Sequence, residues 1–197
     1  MKSLIKITLC VPLIVLALFF ALCVTLVPAG ASSYKTNINA KGILEATKPF
    51  QSFGNFNLGD CQYETAANLI LSQWPKSKIT TAEVVSAYNT YGSAMNPDNL
   101  WAGQDYLIST GFAGHQAKSI TPITTKYQIV QAANHGGVEV TNLGPVRMHI
   151  FAIISANAKQ VTIVDEGFVY RYNWAEFNYD YTQQGETLQF YAVTWAS

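Results

Sequence analysis

The spacing of apolar residues changes at Gly136-Gly137, and that change restricts the fold more than any other feature of the chain. Before it, apolar positions recur at helical spacing. Ala66, Ala67, Leu69, Ile70, Leu71 and Trp74 form one broad face from Cys61 onward, and Pro75 stops the run. A second helix is expected over 79–92, where Thr80 and Glu83 form a capping-box pattern and Gly92 closes it. A third is expected over 96–111, with Asn96 as N-cap, Pro97 at the first helical position and Gly111 beyond the end. A fourth covers 124–137. Trp74, Trp101, Tyr88 and Tyr91 at helical spacing read as core. After Gly137, "VEVTNL", "MHIFAII", "QVTIVDEG" and "LQFYAVTW" are short runs rich in branched and aromatic residues, separated by turn chemistry such as "SANAK" and "YTQQGE". Helices in the first half and antiparallel strands in the second define an α+β fold, not the alternation of a parallel sheet.

The N-terminus is set apart from this domain. Lys2 and Lys6 precede an uncharged apolar run at 7–27, and Ala29-Gly30-Ala31 follows as a small-residue cleavage site. The arrangement is that of a signal peptide over 1–31, and the run is also long enough to be retained as a signal anchor. Either outcome sends the rest of the chain out of the cytoplasm, secreted or membrane-anchored through 7–27, because the lysines hold the N-terminus inside. Residues 32–50 have mixed polarity and little periodicity and read as a linker or N-terminal arm, leaving 51–197 as the folded domain. Hydrophobic residues make up 49% of the chain and charged ones 12%, with zero formal net charge, so nucleic acid is not an expected partner.

Cys10 and Cys23 lie in the apolar run, so Cys61 is the single thiol of the exported part. Exported domains usually pair their cysteines or lack them. A helix opening at Cys61 sets the sulfur near unpaired backbone N–H groups and the positive end of the helix dipole, which favour a thiolate. Gly59 permits a tight turn or close substrate approach, and Asp60 is able to cap the helix. The bland alternative is a buried cysteine acting as a small hydrophobe. Of the three histidines, His115 sits in a polar loop and reads as solvated, and His135 sits where a helix C-terminus would use it as a cap. His149 opens a strand, and with a hairpin turn near Asn157 Asp165 returns almost opposite it. A carboxylate beside the imidazole would hold its tautomer and stabilise the imidazolium formed on taking the thiol proton. A strand-end His and a turn Asp that only cap the sheet are the structural alternative.

A cysteine at a helix start, a histidine on a strand and an acid at the end of the next strand resembles the chain order of papain-like cysteine peptidases. Fewer positions separate Cys61 from His149 than the about 130–150 of papain and the cathepsins. That spacing is more similar to the bacteriocin-leader (double-glycine) peptidases and their bacterial and phage relatives, one branch of which carries a "GN…GDC" block like Gly54-Asn55 and Gly59-Asp60-Cys61 here. The resemblance implies a papain-like fold with the Cys61 helix packed on a sheet carrying His149 and Asp165. It also implies that Asn55, with the backbone N–H of Cys61, donates to the oxyanion, Asn57 and Gln51 being weaker choices. Gln62 departs from papain's aromatic residue, Asp165 replaces its Asn as in the leader peptidases, and Met148 stands where a Gly often precedes the family's His.

The expected function is therefore an exported cysteine peptidase or amidase acting on a peptide or a peptidoglycan stem. Catalysis would fall to Cys61, His149 and Asp165, with Asn55, Gly59 and Asp60 at the oxyanion and substrate. Residues 136–147 would border the cleft and pair with a peptide by strand addition. Transglutaminase-like acyl transfer and a non-catalytic surface binding module are the alternatives. No spacing of His, Cys and carboxylates suggests a metal, no phosphate loop follows a strand, and no cofactor is expected.

Overall fold

The computed structural model describes residues 61–95, 99–144, 148–165, 168–182 and 185–197. Their element order is α1 (Cys61–Gln73), α2 (Thr81–Tyr91), α3 (Ala102–Ser109), β1 (Ala117–Ile123), α4 (Lys126–His135), β2 (Val138–Leu143), β3 (Met148–Ala156), β4 (Gln160–Asp165), β5 (Phe168–Asn173), α5 (Trp174–Thr182) and β6 (Thr187–Trp195). The strands form one antiparallel sheet in the order β1-β6-β2-β3-β4-β5. The architecture is α+β.

Both faces of the sheet are covered, and alternate residues of each strand enter different cores. Ala152 of β3 and Val164 of β4 pack with α1, α2 and α3 through Tyr63, Leu69, Val84 and Leu107. Phe151 and Ile153 of β3, with Ile163 of β4, face the other way, toward Ile129 and Ala133 of α4 and Phe177 of α5. This explains why β3 reads as a nearly continuous apolar run and why β2 is buried from Val138 to Asn142, polar residues included: neither face meets water.

Helix α1 is buried from Gln62 to Leu71, polar residues included, so those side chains must find partners inside. Tyr63 Oη donates to Gly92 O at 2.8 Å, and Thr65 Oγ1 donates to Ile150 O at 3.0 Å. Gln62 Oε1 accepts from Gly103 N at 2.8 Å, and its Nε2 donates to Ser93 O at 3.2 Å. A Cβ at Gly103 would lie 2.4 Å from Gln62 Cβ, so glycine is what lets α3 come this near α1.

The capping box at Thr80 and Glu83 forms, and Gly92 ends α2 with φ 75°. Thr125 and Gln128 make the same reciprocal cap on α4. The third helix is shorter than expected. It starts at Ala102, and Gln104 Oε1 accepts from Trp101 N at its mouth. Asn96 and Pro97 lie outside the described residues. The division into helical and stranded halves is also corrected. β1 joins the sheet from the helical half as an edge strand, the position that tolerates Pro122. α5 interrupts the stranded half, opened by Asn173 and Glu176, each accepting the other's backbone N–H. Tyr91 is half exposed rather than core, while Trp101 is buried.

Residues 138–143 are paired along both edges, with β3 on one side and β6 on the other. Strand addition along them is therefore excluded, because no backbone edge is left open.

Glu139 of β2 is buried and accepts from Gln104 Nε2 at 2.6 Å, tying α3 to the sheet. Desolvation pushes its carboxyl up to about 8 against the lowering effect of Gln104. A carboxyl that binds its proton more tightly when folded favours the native state below its unfolded value, and that support is lost as pH rises through about 8. Glu139→Gln is expected to leave the melting temperature near pH 5 almost unchanged and to raise it by several degrees at pH 9. Calorimetry at the two pH values checks this.

Candidate active site

Cys61 is the first residue of α1, half-buried and packed against the cluster of Trp101 and Ile150, which Leu143 and Met148 also cover. One turn later, the Thr65 bond to the carbonyl of Ile150 fixes the helix against the residue that follows His149. Gln62, which stands where papain has an aromatic residue, spends its amide on Ser93 and Gly103 and so holds the helix mouth in place.

His149 is the second residue of β3. It is buried, stands across from Asn142 of β2, and lies over Phe151 with ring centroids 6.0 Å apart. Its Nε2 is hydrogen-bonded and ion-paired to Asp165 Oδ1. The Cys61 side chain interacts with the same imidazole and favours its charged form. With Nε2 taken by Asp165, Nδ1 is the nitrogen left to face the sulfur. Thiol, imidazole and carboxylate are thus in sequence.

The hairpin register differs from the expectation. Ala152 pairs with Val164, and continuing that ladder by one step sets Asp165 across from Phe151, diagonal to His149. The turn is centred slightly later than expected, because Asn157 Oδ1 accepts from Lys159 N and Gln160 N, and a bulge lies between Ile153 and Ser155. Both residues stay on one face, since diagonal neighbours two positions apart remain within reach of long side chains.

Burial alone would push the His149 imidazolium down. The charge of Asp165, its hydrogen bond and the contact with Cys61 together outweigh that and raise the ring to about 10. The buried pair therefore favours the charged imidazolium at neutral pH.

Further residues, unnoticed in the sequence, surround the carboxylate. Tyr181 Oη on α5 donates to Asp165 Oδ2 at 2.8 Å. Asn142, the cross-strand partner of His149, donates through Nδ2 to Tyr181 O at 3.4 Å and Glu186 Oε2 at 3.2 Å. Helix α5 itself was concealed by its aromatic composition. The Asn173-x-x-Glu176 cap was the available signal for it. Among the described residues Trp101 Nε1 and Asn142 Oδ1 are buried without a hydrogen-bond partner.

His115 is not a solvated loop residue. It is partly buried, stacked on Trp74 at 4.0 Å and hydrogen-bonded through Nε2 to Ser77 Oγ. His135 is exposed in the last turn of α4. Asn55, Gly59 and Asp60 lie outside the described residues, as do the leader and the arm before them. Among the described residues no His, Cys, Asp and Glu cluster could hold a metal ion, and no helix is long and apolar enough to cross a membrane.

No protein-family model and no curated protein sequence matches the chain.

Removing the Asp165 charge leaves burial unopposed at the ring. In Asp165→Asn, His149 is expected to be neutral at pH 8, where the native ring carries its proton. The sign follows from the raised native value: the pair's stabilisation is complete below about 6.5 and lost as pH rises through about 10. NMR titration of the His149 ring protons reads both states.

Proposed function

We propose that this protein is an exported thiol hydrolase of papain-like type, with Cys61 as nucleophile, His149 as proton carrier and Asp165 as the group that orients and charges the imidazole. The observation that carries this reading is one buried imidazole hydrogen-bonded to a carboxylate and in electrostatic contact with a helix-tip thiol. A histidine that only capped the sheet would need no thiol partner, and a structural cysteine would need no imidazole.

In the proposed cycle the proton of Cys61 resides on His149, and the sulfur attacks the carbonyl carbon of an amide, forming the C–S bond. The charge that develops on the carbonyl oxygen is received by the backbone N–H of Cys61 and the side chain of Asn55. The imidazolium returns the proton to the leaving amine as the C–N bond breaks, which leaves a thioester. Water, deprotonated by the now neutral His149, attacks the thioester and releases the acid and the thiol. The raised value of His149 suits the amine-expulsion step, which needs a charged imidazole at neutral pH. Substrates would be peptides or peptidoglycan stems met outside the cytoplasm, where residues 7–27 would direct or anchor the chain.

Incubating the full-length protein with a diverse peptide pool is expected to give cuts that Cys61→Ala abolishes. His149→Ala should slow them by about 10²–10⁴-fold. Products carrying an added amine in place of water would reassign the chemistry to acyl transfer. Alkylation of Cys61 no faster than a model thiol at pH 7, and unchanged in His149→Ala, would rule out the enzymatic reading.

A further inference from the structure

The carboxylate that orients His149 is itself held from behind. Asp165 Oδ1 is taken by the imidazole and Oδ2 by the Tyr181 hydroxyl, so each oxygen has a directional partner. The Tyr181 ring cannot swing away easily. It packs on Phe151 with centroids 4.6 Å apart and on Phe177 at 5.3 Å, and Asn142 Nδ2 holds its backbone carbonyl. Phe151 also lies beneath His149, so one aromatic residue supports both the imidazole and the tyrosine.

A second phenol stands behind the first. The Tyr172 ring meets that of Tyr181 edge-on, with centroids 6.2 Å apart. A hydroxyl has a single proton to donate, and Tyr181 gives its own to an acceptor-only carboxylate. The polar chain runs in one direction: Tyr181 Oη to Asp165, with His149 and Cys61 beyond. Burial first, and the Asp165 charge next, hold the Tyr181 phenol above the ordinary tyrosine range, so it remains a protonated donor across the working range of the site.

We infer that Tyr181, backed by Tyr172, is a positioning residue of this site: it fixes the rotation of the Asp165 carboxylate so that Oδ1 stays on His149 Nε2 and Nδ1 stays on the sulfur. The inference rests on the proposed thiol chemistry and adds α5 to the elements that build it. Hydrogen bonds to the charged form of a carboxylate stabilise that form, and chains of such bonds polarise one another. Without the tyrosine donor, Asp165 takes a proton at higher pH and its orienting charge is lost sooner on acidification.

The test needs no known substrate. Full-length protein with Cys10→Ser and Cys23→Ser leaves Cys61 as the one thiol, and its alkylation by iodoacetamide is followed from pH 4 to 10. Tyr181→Phe keeps the ring that packs on Phe151 and removes only the hydroxyl. It is expected to move the acid limb of the Cys61 rate profile upward by about one pH unit, the size of one hydrogen bond to a charged group. Intact near-ultraviolet circular dichroism would separate this from loss of packing. A Tyr181→Phe profile that overlays the native one while His149→Ala still shifts the rate overturns the positioning role and leaves the thiol–imidazole reading intact. If neither Tyr181→Phe nor His149→Ala alters the rate, the thiol–imidazole reading fails as well. Should Tyr181→Phe not fold, 3-fluorotyrosine placed at position 181 decides, because fluorine makes the hydroxyl a stronger donor: a downward shift of the acid limb supports the inference and an unchanged limb overturns it.

Discussion

The hydrogen bond from Thr65 to the carbonyl of Ile150 joins the two parts of the molecule on which everything else depends. Helix α1 is buried from Gln62 to Leu71, and a helix so enclosed has its position set by what it packs on. On one side are Ala152 and Val164 of the sheet, and on the other are Leu107 and Tyr106 of α3. Thr65 adds register to that packing. It ties the helix one turn below Cys61 to the strand one residue beyond His149. The sulfur and the imidazole then meet because neither the helix nor the strand is able to slide. Gly103 and Gln62 guard the same geometry from the α3 side, since a methyl group at position 103 would drive the helices apart.

Electrostatics in this enclosed region forms a nested sequence. A buried imidazole would ordinarily shed its proton, and Asp165 reverses that outcome. A buried carboxylate in turn requires partners for both oxygens, and it obtains them from His149 and Tyr181. Each group relieves the desolvation of the one before it, the condition under which a buried polar network is tolerated rather than destabilising. Glu139 shows the other solution within the same sheet. Its neutral partner Gln104 does not hold the charge, and its carboxyl rises toward neutrality instead.

Local signals in the sequence were legible where local forces decide. The capping box at Thr80, the end of α1 before Pro75, and the bounds of β2 depend on neighbours within a few residues, and those readings match the structure. Readings failed where distant contacts decide. The stretch 117–123 becomes a strand because β6 offers it an edge. The aromatic segment 174–182 becomes a helix because it covers Phe151 and Tyr172 on the second face. His115 looked solvated until Trp74, far away in sequence, was found stacked on it. The expected pairing of His149 with Asp165 formed with a different register, because the Asn157 turn and the bulge after Ile153 displaced the ladder without turning either side chain to the other face.

From the sequence alone came the change from helical to strand spacing, the lone exported thiol at a helix tip, and a histidine and an aspartate on adjacent strands. These follow from periodicity, turn chemistry and residue type, which are properties of short segments. Only the folded chain decided that β2 is closed on both edges, that Asp165 meets His149 diagonally, and that Tyr181 stands behind the carboxylate. The reason is physical: sheet order, register and the covering of the second face are set by which buried surfaces and hydrogen bonds are satisfied together across the whole domain. No stretch of a dozen residues carries that information.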